Sequence, residues 1–263
     1  MNDETPVKGP AAGPSQNEIP DEILKRLQRY QVMTGEAQER ADAVAVKLAP
    51  RLRELPKPVD VNSANARTRG VLAAIEEINA AATGPVENKI ECRKGCGFCC
   101  HQLLLVKVGE AFVMRQALKR LKRKARREIT QRARAQLQSL LRSGYRGVQD
   151  WKQKEVMTSL GNAVRQDGLP CPFLDDAGQA CMIYEDRAVP CRSAFAFERD
   201  LCKSHYGYKG KPPKAQYFEF GVIHPSEQHI PNDGSLIPAC EVVLNDSFDS
   251  LLRLFRPQKL DKR

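Results

Sequence analysis

Nine cysteines are the residues of this chain whose type and spacing point most directly to chemistry. None precedes position 92, and four then fall within the nine-residue segment CRKGCGFCC: Cys92, Cys96, Cys99 and Cys100. Gly95 and Gly97 allow tight backbone turns between these thiols. Thiolate-rich sites select zinc or iron over hard ions such as magnesium. The spacing therefore predicts a metal site rather than cysteines scattered as small buried side chains.

A second group of cysteines, separated by nine, nine and ten residues, comprises Cys171, Cys181, Cys191 and Cys202. A structural zinc ion takes about four ligands, and an iron–sulfur cluster about four thiolates. Eight candidate thiols therefore allow one four-ligand site with spare reactive cysteines, or a two-metal site. The adjacent Cys99 and Cys100 cannot easily face one ion without strain. One of them is expected to face a second metal, to bridge two metals, or not to be a ligand.

Two further residues near this chemistry are weighed separately. His101 directly follows the adjacent cysteine pair and is a possible nitrogen ligand, although a lone histidine is more often structural. Cys240 is isolated in the segment PACEVVL, where we expect a buried apolar side chain rather than a ligand. For Cys202 ligation and simple burial are evenly balanced, and it stays in the candidate set.

The composition sets the protein class and the expected compartment. Of the 263 residues, 41% are hydrophobic, 28% charged and 6% aromatic, as in a globular protein with a polar surface. No apolar run approaches the roughly 18 residues of a membrane span. The N-terminus lacks the basic and apolar regions of a secretion signal, so we expect a cytoplasmic protein with reduced thiols. An odd number of cysteines in that compartment favours metal binding over a disulfide framework.

Hydrophobic periodicity predicts a mainly α fold in three parts. Residues 1–20 carry four prolines and are predicted to be a disordered tail. Residues 21–84 are predicted to be a helical appendage, with helices from Asp21 to Pro50 and from Ser63 to Ala82. Residues 85–263 are predicted to be a metal-binding domain, with long helices around an irregular, cysteine-rich core stapled by metal.

Within that domain the pattern predicts five further elements. The segment LLLVKV is a short strand or a buried extended run, and one helix is expected from Glu110 to Arg142, closed by Gly144. A shorter helix is expected from Asp150 to Gly168. The cysteine-rich stretch to Tyr208 is rich in turn residues, and a last helix is capped near Asn245.

Several motifs together resemble the YkgJ-like family of zinc- or iron-chelating cysteine-cluster domains. The segments are CRKGCGFCC, the Glu110-Ala111 pair, CPFL at 171–174, GQACMIYEDR at 178–187 and PCR at 190–192. They agree with the family pattern in order and spacing over about residues 88–205. Ala188 stands where the family prefers proline, a change that removes no ligand. The resemblance implies a protein that chelates zinc or iron, or holds an iron–sulfur cluster.

The resemblance also suggests roles for residues beside the cysteines and a possible activity. Tyr184 is expected to pack its ring near the site, while Arg187 and Arg192 are expected to offset the charge of the thiolates, or else to form ordinary surface salt bridges. Flagellin lysine N-methylases carry a similar cysteine module, so a protein-modifying enzyme is one alternative. The chain shows no glycine-rich nucleotide motif to support it.

Positive charge is concentrated in one segment and suggests partners. The chain has 42 basic and 32 acidic residues; between Lys107 and Arg165, sixteen basic residues stand against four acidic ones, a difference of +12. The run from Lys119 to Arg127 places charges opposite a helical apolar stripe. Such a surface suits nucleic acid, an acidic protein or an anionic membrane surface, although a merely solvated face is commoner. A nucleic-acid-associated module with structural zinc is therefore a further alternative, weakened by the lack of interleaved aromatic residues.

Overall fold

Helices dominate the chain, which confirms the mainly α prediction. The computed structural model describes residues 21–57, 60–147, 154–175, 177, 180–199, 202, 222–223 and 236–244. Within these residues lie six α-helices: α1 Asp21–Glu54, α2 Val61–Thr83, α3 Val108–Arg120, α4 Arg123–Arg142, α5 Lys154–Gln166 and α6 Ala239–Leu244. The predicted tail at 1–20 and the predicted C-terminal helix lie outside the described residues.

The first two helices pack against each other along small apolar side chains. In α1 the buried residues recur every three or four positions: Met33, Ala37, Ala41, Ala45 and Leu48. Helix α2 begins at a capping box, in which the Asp60 carboxylate accepts from the Ser63 backbone N–H at 2.7 Å and Ser63 Oγ accepts from the Asp60 N–H at 3.0 Å. The two helices share a core with Phe197, which comes from the cysteine-rich part of the chain. The boundary at residue 84 stays a prediction.

The expected end of the first helix at Pro50 is wrong, because α1 continues through this proline to Glu54. Proline cannot donate to the carbonyl four residues earlier, which belongs to Val46. Val46 is on the exposed side of α1, where water can bond that carbonyl instead. Just beyond the helix, the side chain of Leu55 lies against Gly70 of α2, where a Cβ atom would leave it no room. This contact gives the last turn of α1 a packing reason to persist.

The single helix predicted from Glu110 to Arg142 is also wrong, since the chain forms α3 and α4 with a break at Leu121 and Lys122. Both residues have extended backbone, with ψ near 150°. Neither glycine nor proline marks the break in the sequence, and Leu121 packs against the main core. The bend lets α3 and α4 both contact α6. Tertiary packing, rather than local propensity, therefore sets this break.

Four short strands form two antiparallel pairs. They are β1 Leu105–Lys107, β2 Phe195–Ala196, β3 Val222–Ile223 and β4 Leu236–Pro238. Strand β1 pairs with β4, with Val106 opposite Ile237, and the Ala239 N–H continues this pairing by donating to the Leu104 carbonyl at 2.9 Å. Strand β2 pairs with β3, with Phe195 opposite Ile223. The first pair ties α6 to the start of α3, and the second closes one side of the cysteine-rich region.

The main core lies between α3, α4, α5 and α6 and supports the cysteine-rich turns. Its largest fully buried side chains include Phe112, Ile129, Tyr145, Leu160 and Phe173. Gly144, at φ +96°, follows α4 where the sequence places its end, and Gly168, at φ +65°, follows α5. No helix in the described part of the chain is both long enough and apolar enough to cross a membrane.

Candidate metal centre

Eight of the nine cysteines line one cavity of about 120 Å³: Cys92, Cys96, Cys99, Cys100, Cys171, Cys181, Cys191 and Cys202. These are the eight residues that the sequence analysis selects as candidate ligands. Pockets for organic ligands usually enclose about 300–1,000 Å³. The space between the thiols therefore suits a metal ion or a compact cluster better than an organic cofactor. All nine cysteines are free thiols.

The segment Cys92–Cys100 winds around one side of the cavity through tight turns. The backbone N–H of Cys92 donates to the Ala196 carbonyl at 3.2 Å, which ties the segment to β2. Gly95 has φ +92°, a left-handed conformation that glycine adopts without strain, and Cys96 closes the turn by donating to the Arg93 carbonyl at 3.0 Å. A single 3₁₀ turn over Phe98–His101 then presents Cys99 and Cys100.

The second cysteine segment folds back on itself beside this turn. Leu174 and Cys181 form an antiparallel bridge, and Met182 donates its N–H to the Phe173 carbonyl at 2.8 Å. This hairpin brings Cys181 next to Cys171, although ten positions separate them in sequence. Phe173, which belongs to this hairpin, is fully buried in the main core.

Cys191 is held by a carboxylate from α3. It ends a short 3₁₀ turn over Val189–Cys191, and the Val189 N–H donates to Glu110 Oε1. The other oxygen of Glu110 accepts from the Lys107 N–H at 2.7 Å. From the sequence, Glu110 is expected only as the start of a helix and as part of the family pattern, with no role of its own. A glutamate at the third position of a helix is a known capping signal, and it could have indicated this contact.

The thiols fall into two groups joined by Cys99. The first thiol group comprises Cys92, Cys96 and Cys202, of which Cys92 and Cys202 pack with Cys99 around Phe98. The second thiol group comprises Cys100, Cys171, Cys181 and Cys191, which pack against the main core. Cys99 interacts electrostatically with members of both groups. It therefore lies between them.

Burial opposes ionisation of the thiols in both groups. It raises the pKa of Cys171 and of Cys202 to about 12, with neighbouring thiols adding to the effect. The pKa of Cys191 is also raised well above its ordinary value, first by burial. Cys99 differs, because a hydrogen bond with the Cys100 thiol lowers its pKa below the ordinary value, against the opposing effect of burial. The same hydrogen bond, together with burial, raises the pKa of Cys100.

Arg187 brings positive charge to the thiols of both groups. Its guanidinium group lies 3.8 Å from the ring centroid of Tyr184 and donates to the carbonyls of Cys191 and Tyr184, each at 3.0 Å. Its charge lowers the pKa of Cys92, Cys99 and Cys181, against the larger effect of burial on Cys92 and Cys181. Arg187 and Tyr184 both line the cavity.

Arg192 is buried and acts mainly as a structural link. It pairs with Glu76 of α2 and donates to the Arg187 carbonyl at 2.8 Å and to the Glu185 carbonyl. Its own carbonyl accepts from Asn79 of α2 at 3.0 Å. Arg192 thus joins α2 to the turn that carries Cys191. Neither partner in α2 could be predicted from the sequence.

The two residues weighed separately are placed away from the cavity lining. Cys240 is fully buried in α6 within the main core, and burial raises its pKa to about 12. His101 ends the 3₁₀ turn after Cys100, and burial lowers its pKa. Neither side chain lines the cavity.

The donor set fits a soft metal, although it is not drawn together as a finished site. Within the described residues, no three His, Cys, Asp or Glu side chains have the arrangement of a formed metal site. The eight cysteines nevertheless line one small cavity, together with Arg187. Thiolates are the ligands that zinc and iron prefer, and a bound cation offsets the cost of ionising buried thiols. Metal binding would therefore draw these side chains inward.

Comparison with known families points to the same chemistry. A family model described as "CxxCxxCC: Putative zinc- or iron-chelating domain" matches residues 91–209. The match covers slightly less than half of the chain and includes all eight cysteines that line the cavity, whereas Cys240 lies outside it. It confirms the resemblance seen in the sequence. No curated protein and no solved structure matched the chain.

The match supports a metal-binding protein of the zinc- or iron-chelating type. In the structure seven of the eight cavity cysteines come from three separate turns, which the β2–β3 pair, the Cys181 hairpin and Glu110 hold around the cavity, and Cys202 comes from a fourth segment. The matched residues and the cavity lining thus share the same eight cysteines.

Proposed function

We propose that the CxxCxxCC domain holds iron as an iron–sulfur centre, with ligands drawn from both thiol groups. The observation that carries this proposal is the number of cysteines around one cavity. Eight thiols are twice the number that a structural zinc ion takes. An iron–sulfur cluster takes about four protein thiolates and completes its iron coordination with inorganic sulfide, so eight thiols allow one cluster with ligands from both groups, or two metal centres.

The position of Cys99 supports a centre that spans the two groups. Its sulfur lies between the first and the second thiol group, and the hydrogen bond with Cys100 lowers its pKa, whereas burial raises the pKa of Cys92 and of Cys171. Thiolate is the form that binds metal, so this hydrogen bond favours metal binding by Cys99. The adjacent Cys100 packs with the second thiol group. This position fits the expectation that Cys99 and Cys100 do not both bind the same single ion.

The surrounding residues suit a negatively charged centre. Arg187 offsets the charge of several thiolates. The apolar side chains of Phe98, Phe173 and Ala196 exclude water from the centre. An iron–sulfur cluster, when bound, supplies electron transfer at a potential set by net charge, hydrogen bonds and solvent exposure. A reducing compartment such as the cytoplasm would keep the free thiols available for assembly.

Two zinc ions are the second candidate, and one observation favours them. With Cys99 counted in the first thiol group, each group offers four sulfur ligands, the number of a closed structural zinc site. In that case the two metal ions would hold the cysteine-bearing turns together and would carry no redox chemistry. The iron and zinc proposals use the same cysteines, so only the metal itself distinguishes them.

Metal analysis on anaerobically purified protein tests the proposal. Iron, zinc and acid-labile sulfide are measured in the wild type, in Cys92→Ser/Cys202→Ser, in Cys171→Ser/Cys181→Ser and in the control Cys240→Ser. We expect iron with an equal amount of sulfide in the wild type and in the control, and loss of both from each double variant. Zinc at about two per chain, with one ion lost from each double variant, would support the second candidate. Wild-type protein without metal would overturn both.

A further inference from the structure

A second concavity, of about 800 Å³, lies between α3 and α4 and contains no carboxylate among its described lining residues. We call it the arginine groove. Its positively charged residues are Arg115, Lys119, Arg123, Arg126, Arg127 and Arg134. Five of these six are arginine, whose planar guanidinium group pairs with carboxylates or phosphates through two parallel hydrogen bonds. The groove is therefore a site for an anion.

The lining residues of α4 form one continuous stripe along the helix. Arg123, Arg127 and Arg134 lie on the same face as Gln138, at steps of four, seven and four residues. At 1.5 Å per residue, the stripe from position 123 to 138 is about 22 Å long. That length matches an extended peptide of about seven residues at 3.3 Å each. The groove thus suits a chain-like ligand better than a single small anion.

The four α4 arginines in the groove differ in their ion pairing from other basic residues of α3 and α4. Outside the groove, Arg120 pairs with Asp186, Lys124 with Glu128 at 3.9 Å and Arg142 with Asp167 at 3.1 Å. Within the part of the chain that the structure describes, none of the four α4 arginines that line the groove has a carboxylate partner. The positive charge of these four arginines is therefore not neutralised by a carboxylate of the described residues.

The floor of the groove is apolar and selects among anionic ligands. It is formed by Leu118 of α3, Ala135 of α4 and Val243 of α6. Arg115 is buried beneath it and caps α6 by donating to the Val242 carbonyl at 2.9 Å, so the floor is fixed in place. No aromatic side chain among the described lining residues offers a surface on which a base would stack.

We propose that the arginine groove binds an acidic, amphipathic peptide segment of a partner protein. Its carboxylates would pair with the arginines of α4, and its apolar side chains would lie against Leu118, Ala135 and Val243. A nucleic acid would use the arginines but not the apolar floor. This binding function is separate from the metal centre and does not depend on the proposed metal.

Fluorescence anisotropy with a defined probe tests the proposal. The probe is a labelled seven-residue peptide of alternating Glu and Leu, titrated with metal-loaded, full-length protein at about 50 mM salt, where ion pairs are little screened. The groove variant is Arg123→Gln/Arg127→Gln/Arg134→Gln. The control, Arg53→Gln/Lys124→Gln/Arg142→Gln, removes three exposed charges outside the groove. Metal content and thermal unfolding of both variants are compared with the wild type, so a folding defect is recognised.

We expect the groove variant to bind the peptide about tenfold more weakly and the control to bind it within about twofold of wild type. A peptide with Ser in place of Leu is expected to lose most of its affinity, because it cannot use the apolar floor. Equal weakening in both variants, or no binding of the Glu–Leu peptide by wild type, would overturn the proposal. So would tighter binding of a single-stranded or duplex oligonucleotide of equal charge, weakened by the groove substitutions.

Discussion

The backbone N–H of Cys171 donates a 2.6 Å hydrogen bond to the carbonyl oxygen of Cys100. This bond joins two cysteine motifs that are 71 positions apart in sequence. Because it uses only backbone atoms, it positions both motifs whatever their thiols bind. The second thiol group is therefore organised by the fold itself, and a metal would have to move side chains rather than whole turns.

Removal of the Glu110 side chain is expected to destabilise the protein and to weaken metal binding. Glu110→Ala leaves the N–H groups of Lys107 and Val189 buried without an acceptor, and each such group costs about 1–3 kcal/mol. Because the two losses are not fully additive, we expect the free energy of unfolding in urea to fall by about 2–4 kcal/mol. The turn that carries Cys191 would also lose its contact with α3.

Glu110→Gln is the matched control for this prediction. The amide keeps the shape and one accepting oxygen, but it turns an NH₂ group towards the other donor, so about half of the loss is expected. If the free energy of unfolding of Glu110→Ala lay within about 0.5 kcal/mol of the wild-type value, the carboxylate would not be holding the turn that carries Cys191.

Substitution of Arg187 is expected to reduce metal affinity more than stability. Arg187→Gln removes the positive charge that favours ionisation of Cys92, Cys99 and Cys181. Groups that support metal ligands in this way typically contribute 10- to 100-fold in affinity. We expect a loss of that size in competition with a chelator.

Arg187→Lys separates charge from geometry. Lysine keeps the charge but not the planar stacking on Tyr184, nor both hydrogen bonds to the carbonyls of Tyr184 and Cys191. Partial recovery of affinity is therefore expected. Equal affinity in the glutamine variant and the wild type would show that Arg187 only packs against the site.

The cysteine set could be predicted from the sequence, but its division into two groups could not. Cysteines are rare, and their clustering can be seen in the sequence itself. All eight cysteines that line the cavity could therefore be chosen as candidates. Their grouping depends on the bridge between Leu174 and Cys181 and on the position of Cys202 beside Cys92. Those contacts are set by tertiary packing, which has no local signal.

The helices, too, could be predicted from the sequence only in part. Apolar positions that recur every three or four residues locate α1 and α2, because each helix buries a regular stripe. The break at Leu121 and Lys122 carries no turn residue, and it arises because α3 and α4 both pack on α6. The arginine groove depends on that bend, so the sequence indicates the charge of the segment but not the groove that it lines.

Loss of Arg192 is expected to destabilise the protein far more than loss of its acidic partner. Arg192→Met leaves the carbonyls of Glu185 and Arg187 without their donor and removes the pair with Glu76 of α2. We expect a cost of about 2–3 kcal/mol in urea denaturation. Glu76 is 52% exposed in its side chain, so Glu76→Gln is expected to cost less than about 1 kcal/mol. Equal costs for the two variants would contradict a mainly structural role of Arg192.

Glu241 is expected to give a pH dependence of stability that Glu241→Gln abolishes. Burial raises the pKa of Glu241 above its ordinary value of 4.5, and a hydrogen bond from the Tyr145 hydroxyl, at 3.0 Å from Oε1, opposes this in part. Above pH 4.5 the folded carboxyl keeps a proton that the unfolded chain releases. Stability must therefore fall as the pH rises from 4.5 through the raised pKa.

The measurement is the free energy of unfolding in urea at several pH values between about 4.5 and 7, for wild type and Glu241→Gln in parallel. The difference between the two proteins isolates Glu241 from other titrating groups, and we expect wild type to lose stability relative to the variant as the pH rises. Tyr145→Phe removes the hydrogen bond that lowers this pKa, so the loss should extend to higher pH. A wild-type advantage that grows with pH would mean that the folded protein favours the charged carboxylate, contrary to its burial.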